Sequence, residues 1–323
     1  MKFVMTQSVC EKALSFLEEH AECYIADDGD PNNYPDQMQD ADAIIVRIGK
    51  LDAQAIVNAP NLKVIGRTGV GYDSVDVDAA TKAGIPIVIT PGANNRSVAE
   101  HTVAMLLALS KNLLEGHVET EKGNFSAVRS LGKSFEILGK TIGFVGLGAI
   151  GAETARLCRA LGMQTIAYDP FLGKERVENL GCDYCDNLEN LFPNVDVLSL
   201  HLPLTAQTKD LIALPELQQM KPTAILLNCA RGGIVNEPDL KQALEEGVIA
   251  AAGLDVFEIE PPDVSAPLFS APNLLLSPHS AAQTREAVVN MHMMCVEGCL
   301  AVLKGEKWPH VANPEVYQHP RFQ

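Results

Sequence analysis

Three residues of this chain have types and settings that suit catalysis: Arg231, Glu260 and His279. Arg231 comes after the largely apolar run 225–230 and ahead of Gly232 and Gly233, which allow a sharp backbone turn. Glu260 follows residues 254–259 and precedes Pro261 and Pro262, and His279 follows residues 274–278. Each run begins as a short strand, so all three side chains fall at strand ends, where open α/β sheets bind their ligands. An imidazole gives and takes protons near neutrality. A carboxylate beside it stabilises the imidazolium. A guanidinium can hold a substrate carboxylate and polarise the neighbouring carbonyl. Hydride transfer to a ketone leaves negative charge on oxygen and needs a proton donor. The trio would serve that reaction: Arg231 anchors and polarises, His279 moves the proton, and Glu260 orients and tunes His279.

Hydride chemistry needs a carrier, and residues 141–151 offer a site for one. Residues 142–145 read as a buried strand. Gly146, Gly148 and Gly151 follow in the spacing G-x-G-x-x-G, and residues 152–160 read as a helix closed by Gly162. The first glycine makes the turn. The second lets the backbone approach a pyrophosphate, and the third packs helix on strand, while the helix N-terminus offers N–H groups to the phosphates. A second strand, 164–168, ends in Asp169, at about the distance expected of an acid that accepts both ribose hydroxyls. Pro170 follows it, with no arginine to neutralise a 2′-phosphate, so the expected cofactor is NAD rather than NADP.

The elements that must position these groups follow from the alternation of strand and helix signals. In residues 1 to about 95, strands are expected at 2–5, 43–46, 63–66 and 85–89, and helices at 9–19 and 75–83. Residues 27–35 match a calcium loop in composition only and read as a solvated loop. A breaker-rich boundary at 90–96 precedes a long helix. Ser97 is expected to cap it, with Glu100 completing a capping box. That helix is apolar on most sides and should be buried. Residues 115–140 read as polar and irregular. Further strands are expected at 195–200, 224–227, 250–254 and 274–276, and a last helix at 281–303. Short connections between alternating strands and helices give parallel sheets covered by helices, an α/β architecture.

The totals narrow the partners. The chain has 323 residues and a net charge of −16, which argues against nucleic acid or an anionic membrane surface. An anionic substrate then needs a locally basic site. Residues 1–6 do not make a signal peptide, and no apolar stretch is expected to span a membrane. The eight cysteines are scattered. Cys182 and Cys185 form a CxxC spacing without a second pair or a nearby histidine, and Cys295 and Cys299 sit four apart on a helix. Both pairs read as buried packing residues of a reducing compartment, so a cytoplasmic protein is expected.

Four motifs in order, 146–151, 228–233 (Asn-Cys-Ala-Arg-Gly-Gly), 253–262 (Gly-Leu-Asp-Val-Phe-Glu-Ile-Glu-Pro-Pro) and 277–279 (Ser-Pro-His), resemble the D-isomer-specific 2-hydroxyacid dehydrogenases over nearly the whole chain. The likeness is nearest to their D-3-phosphoglycerate dehydrogenase branch, in a short form without the C-terminal regulatory domain. The resemblance implies two doubly wound parallel-sheet domains. A Rossmann NAD-binding domain, residues 97–283, would be inserted in a smaller flavodoxin-like substrate domain, residues 1–96 and 284–323. It also implies that Val70 and Gly71 offer backbone N–H groups to the substrate carboxylate, Val70 also lying at the cofactor. Ala149, Ile150, Asp169, Leu202, Cys229, Ala230 and Asp255 would match NAD-contacting positions, Asp255 facing the nicotinamide carboxamide. His201 is expected to pack rather than act as a second acid. Arg47 and Arg67, at strand ends of the first domain, resemble arginines that hold a distal phosphate in that branch. Two guanidinium groups in so acidic a protein suggest a second anionic group on the substrate. A homodimer is implied, with the helix from Ser97 and the following segment as contact.

The leading expectation is therefore an NAD-dependent oxidoreductase interconverting a D-2-hydroxy acid and its 2-oxo acid, 3-phosphoglycerate and 3-phosphohydroxypyruvate or a similar doubly anionic pair. Its rivals are a hydroxypyruvate or glyoxylate reductase of the same family, a formate- or phosphite-oxidising relative, and a dehydrogenase-like NAD-sensing protein that binds partners. The intact Arg–Glu–His set argues against the last. No metal is expected.

Overall fold

The computed structural model describes residues 1–129 and 134–322. Within the stretch expected to be irregular, residues 130–133 lie outside the described residues, as does residue 323. The chain divides into two compact units, Met1–Asn94 with Gln283–Gln323, and Asn95–Ala282.

The first unit holds five strands: β1 (Lys2–Met5), β2 (Glu22–Ile25), β3 (Ala43–Val46), β4 (Val64–Arg67) and β5 (Ile87–Val88). All pair in parallel, in the order β2-β1-β3-β4-β5. This is the flavodoxin-like order, whose direction reverses between β1 and β3. Side chains alternate between two cores. Val4, Ile44 and Ile65 join one face, and Phe3, Met5, Ile45 and Val64 the other. A sheet buried on both faces has largely apolar strands, which is why β1, β3, β4 and β5 were readable from sequence while edge strand β2 was not.

The last helix, Arg285–Leu303, packs on β4, with Cys295 and Cys299 in the core. A Cβ at Gly66 would stand 2.7 Å from both sulfurs, so glycine is what lets this helix settle on the strand. By length and composition alone this helix could cross a membrane, contrary to the expectation that no segment could. Its apolarity is spent on the core of this unit.

The second unit holds seven strands: β6 (Thr141–Val145), β7 (Gln164–Tyr168), β8 (Asp183–Tyr184), β9 (Val197–Leu200), β10 (Ile225–Asn228), β11 (Ala251–Leu254) and β12 (Leu274–Leu276). Their order is β12-β11-β10-β9-β6-β7-β8, all parallel. Read from β8, this is the doubly wound dinucleotide-binding order, reversing between β6 and β9. Ile142, Phe144, Val197 and Leu227 face one core, and Val145, Leu198, Leu200 and Leu226 the other.

Several expectations are corrected. Edge strand β2, with no fully buried residue, carried no alternation to read. The short helices Ala53–Val57 and Leu113–Glu121 were missed, the second lying in the stretch expected to be irregular. The long helix begins at Asn95, so Ser97 sits inside its first turn and is not its cap. Ser97 Oγ instead donates to Ala281 O at 2.6 Å, and Glu100 pairs with Arg96. The last helix starts at Arg285, capped by Thr284, because residues 277–282 are held as a loop.

Candidate active site

The second unit gathers Arg231, Glu260 and His279. Gly232 makes this possible for Arg231: a Cβ there would lie 1.8 Å from Phe257 O and 2.6 Å from Glu258 N. The loop after β10 therefore rests directly on the backbone leading to Glu260. Buried Asn228 shapes the turn, its Oδ1 accepting from Ala230 N (3.0 Å) and its Nδ2 donating to Arg231 O (2.9 Å). Arg231 Nη1 donates to Ala230 O at 2.7 Å.

His279 Nδ1 lies 2.6 Å from Glu260 Oε2, and Glu260 Oε1 accepts from Phe257 N at 3.1 Å. Partial burial pulls the Glu260 carboxyl upward. Hydrogen bonds from His279 and Phe257 N–H, with the His279 and Arg231 charges, outweigh it and hold the group below its ordinary value. Glu260 is thus a carboxylate that accepts a hydrogen bond from Nδ1–H, which leaves Nε2 of His279 for a substrate oxygen. The His279 side chain is half exposed. An open cavity of about 340 Å³ adjoins the pair, walled by Phe257, Pro261, Pro262, Phe269 and Leu276.

His279 has φ of +51°, the left-handed region that a non-glycine residue rarely occupies. Asp255 holds it there. The Asp255 carbonyl accepts from His279 N (2.8 Å), Oδ1 from Ser280 N (2.9 Å) and Oδ2 from Ala281 N (2.9 Å). Asp255 is wholly buried.

The glycine turn lies at the β6 end of the same sheet. Gly146, at φ +87°, could not carry a Cβ, which would stand 2.4 Å from His201 O. A Cβ at Gly151 would stand 2.6 Å from Gly146 O, whereas one at Gly148 would meet nothing within 4 Å. The third glycine is therefore demanded by packing and the second by nothing in the chain itself. That open cradle lies at the start of the helix Ala149–Ala160, whose N-cap Gly148 has no side-chain cap. The residues present fit a dinucleotide: the turn and the N–H groups of Ala149 and Ile150 suit a pyrophosphate, and Asp169 suits a ribose. Asp169 is already oriented, Oδ2 accepting from Leu147 N (2.8 Å) and Oδ1 from Phe171 N (2.9 Å) and Leu172 N (3.2 Å).

His201 packs beneath this turn, Nε2 against Ser199 Oγ at 2.8 Å, and burial pushes its pKa down to about 4. Leu202 follows it, beside Gly146. Cys229 touches Met105 Sδ at 3.7 Å, and burial pushes its thiol up to about 12. Ala230 sits in the Asn228–Arg231 turn.

Arg47, Arg67, Val70 and Gly71 belong to the first unit. Arg47 follows β3 at the point where strand order reverses. Its guanidinium donates to Ser8 O, and Thr6 Oγ1 accepts from Arg47 N at 3.0 Å. Arg67 Nη1 donates to the carbonyls of Val46 and Arg47, both at 3.3 Å. Among the described residues, the Val70 and Gly71 N–H groups donate to no other backbone carbonyl, and Val70 is exposed.

Ser97 was read in the sequence only as a helix cap, Ser277 only as part of the Ser-Pro-His motif and His101 not at all, although each hydrogen-bonds beside His279. Their signal was the four-residue spacing of Ser97 and His101 on an otherwise apolar helix. The CxxC pair is buried, burial raising both thiols, and no cluster of metal-ligand type occurs among the described residues.

Comparison with known proteins agrees with this geometry. Residues 103–281 match the model of the D-isomer specific 2-hydroxyacid dehydrogenase, NAD binding domain. The chain is 39% identical over 314 residues, 97% of its length, to a D-3-phosphoglycerate dehydrogenase of Methanocaldococcus jannaschii, but spans only 59% of that relative. It is 36% identical to a glyoxylate reductase of Korarchaeum cryptofilum, covering 99% of this chain and 98% of that one. The crystal structure of the TT0316 protein from Thermus thermophilus superposes with a TM-score of 0.89 at 33% identity, covering 97% of this chain and all of that one. Glycine cradle, strand-end histidine and carboxylate, and family match converge: the chain belongs to the D-isomer specific 2-hydroxyacid dehydrogenases.

Proposed function

We propose that the protein is an NAD-dependent oxidoreductase that interconverts a D-2-hydroxy acid and its 2-oxo acid, the acid carrying a second anionic group as 3-phosphoglycerate does. The 2.6 Å contact between His279 Nδ1 and Glu260 carries the reading, because it leaves Nε2 as the proton-handling atom. NAD supplies or accepts the hydride when bound. Its pyrophosphate is assigned to Gly146–Gly151, its ribose to Asp169, and further contacts to Val70, Leu202, Cys229, Ala230 and Asp255. In oxidation the 2-hydroxyl proton passes to His279 Nε2 while the C2–H bond breaks with its electron pair. In reduction Nε2 returns the proton as the carbonyl oxygen gains charge. Glu260 stabilises the imidazolium, Arg231 is assigned to the substrate carboxylate, and the Val70 and Gly71 N–H groups are assigned to substrate binding as the family resemblance implies.

Arg47 and Arg67 are assigned to the distal anion. The test is turnover of 3-phosphohydroxypyruvate, hydroxypyruvate and glyoxylate with NADH and NADPH. Arg67→Ala should raise the KM for the phosphorylated acid far more than for glyoxylate. Equal effects would remove the distal-anion assignment. A glyoxylate or hydroxypyruvate reductase is the second reading, favoured by the full-length match to the K. cryptofilum relative.

We further propose a cytoplasmic homodimer. The helix Leu113–Glu121 buries none of its residues, and Leu113, Leu114 and Phe125 are more than half exposed, as an interface in waiting would be. Leu114→Glu should shift the sedimentation coefficient to that of a monomer.

A further inference from the structure

The loop that carries His279 is gripped from a helix that lies outside the four sequence motifs. Ser97 and His101 stand four residues apart on the helix Asn95–Ser110, which puts both on one face. Ser97 Oγ donates to Ala281 O at 2.6 Å. His101 Nε2 lies 2.9 Å from Ser277 Oγ and 3.6 Å from Asp255 Oδ1. The two contacts fall on either side of His279, two residues before it and two after.

Proton directions follow from the acceptors. Ser277 Oγ is 2.5 Å from Asp255 Oδ1. That carboxylate already accepts the N–H groups of Ser280 and Ala281, as an ionised acid does, so the Ser277 hydroxyl must donate to it. Its lone pair is then left for His101, whose Nε2 must carry hydrogen. The chain of donors runs His101 to Ser277 to Asp255, and Asp255 holds three consecutive N–H groups, of His279, Ser280 and Ala281. A loop in this conformation stores strain that its surroundings must over-determine. Asp255 tethers all three N–H groups, that of His279 being shared with Ser277 O at 3.1 Å. The helix face supplies the opposing hold on Ser277 Oγ and Ala281 O.

We propose that His101 is a positioning residue for the His279 imidazole, acting through Ser277 and Asp255, with Ser97 as the second jaw of the clamp. The inference rests on the reading of His279 as the proton-handling residue. Two measurements separate the clamp from that reading. Amide hydrogen exchange at Ser280 and Ala281 reports the clamp without turnover, and wild-type turnover on the 2-oxo acid panel tests the reading.

His101→Leu should speed exchange at both amides and lower kcat about 10-fold, the scale on which small misplacements act, while the KM for NADH moves less than about 2-fold. His101→Gln, whose Nε2 can still donate to Ser277, should recover most of both losses. A merely structural role would lower thermal stability and active fraction without splitting kcat from KM and without rescue by glutamine. If His101→Leu does not fold, Ser97→Ala, which removes one hydroxyl, should give the same exchange signature with a smaller fall in kcat. Unchanged exchange at Ser280 and Ala281 in the folded variant overturns the clamp, whatever the wild type turns over. Unchanged kcat with faster exchange overturns the positioning role. A wild type without turnover on the panel overturns the reading of His279 and, with it, the positioning role, while the exchange data still decide the clamp.

Discussion

Nδ1 of His279 and Oε2 of Glu260 stand 2.6 Å apart although they lie 19 positions apart in the chain, because β11 and β12 run parallel side by side and end together. The carboxylate is held below its ordinary pKa against the pull of burial, so it is ionised at neutral pH. His279→Ala should cost on the order of 10²-fold or more in kcat/KM. A variant at wild-type activity would show the acid–base assignment to be wrong. Glu260→Gln keeps an acceptor for Nδ1–H but removes the charge that stabilises the imidazolium. It should therefore lower kcat/KM about 10-fold or more with the KM for NADH little changed, measured from initial rates at pH 7.

Asp169 is oriented by three backbone N–H groups and is followed by Pro170 rather than by a basic residue. A 2′-phosphate there would meet a fixed carboxylate. Asp169→Ser should weaken NADH and relieve the repulsion toward NADPH, moving the ratio of their kcat/KM values by on the order of 10- to 100-fold. Initial rates with each cofactor at saturating 2-oxo acid check this. A ratio that stays where it was would mean that another group selects the cofactor.

The glycines of the turn should separate by effect. Gly151→Ala places a Cβ 2.6 Å from Gly146 O, a clash with backbone, and should lower stability by about 1–3 kcal/mol. Gly148→Ala meets open space in the chain itself and should leave the melting temperature unchanged while weakening NADH binding about 10-fold or more. Calorimetric melting beside NADH fluorescence titration makes the comparison. Equal loss of stability in both variants would mean that the second glycine is structural.

How far the sequence could be read depended on burial and on range. The inner strands were readable because both faces of each sheet are covered, so Ile44, Ile65 and Leu226 sit in apolar runs and Leu198 in one interrupted by the buried Ser199. Edge strands β2 and β8 were not, since partial exposure leaves no alternation. The G-x-G-x-x-G turn and the Arg–Glu–His trio stood out because each reactive group follows a strand directly. Ser97 misled for a physical reason: Ser-x-x-Glu before an apolar run is a capping signature, yet the hydroxyl is drawn to Ala281 O, a partner 184 positions away. His101 was missed likewise, its partner Ser277 being fixed by the fold and by nothing nearby in sequence.

Two buried imidazoles set an acid limit on the fold. His201 and His292 are each pushed down to about 4, by burial in both cases and by the Arg47 charge as well for His292. His292 Nδ1 accepts from Cys10 N at 2.8 Å, which fixes it as the neutral tautomer. In the unfolded chain both rings take a proton near the ordinary value of 6.5. Folded-state values lie below it, so the unfolded state binds more protons as pH falls. The stabilisation is complete above about pH 6.5 and is lost progressively toward pH 4, at up to about 1.4 kcal/mol per pH unit for each site. Urea midpoints measured across this window should fall with pH in the wild type. His292→Asn, which can still accept from Cys10 N, and His201→Gln should each flatten the dependence even if they lower stability at pH 8. A wild-type slope retained in both variants would place the acid sensitivity elsewhere.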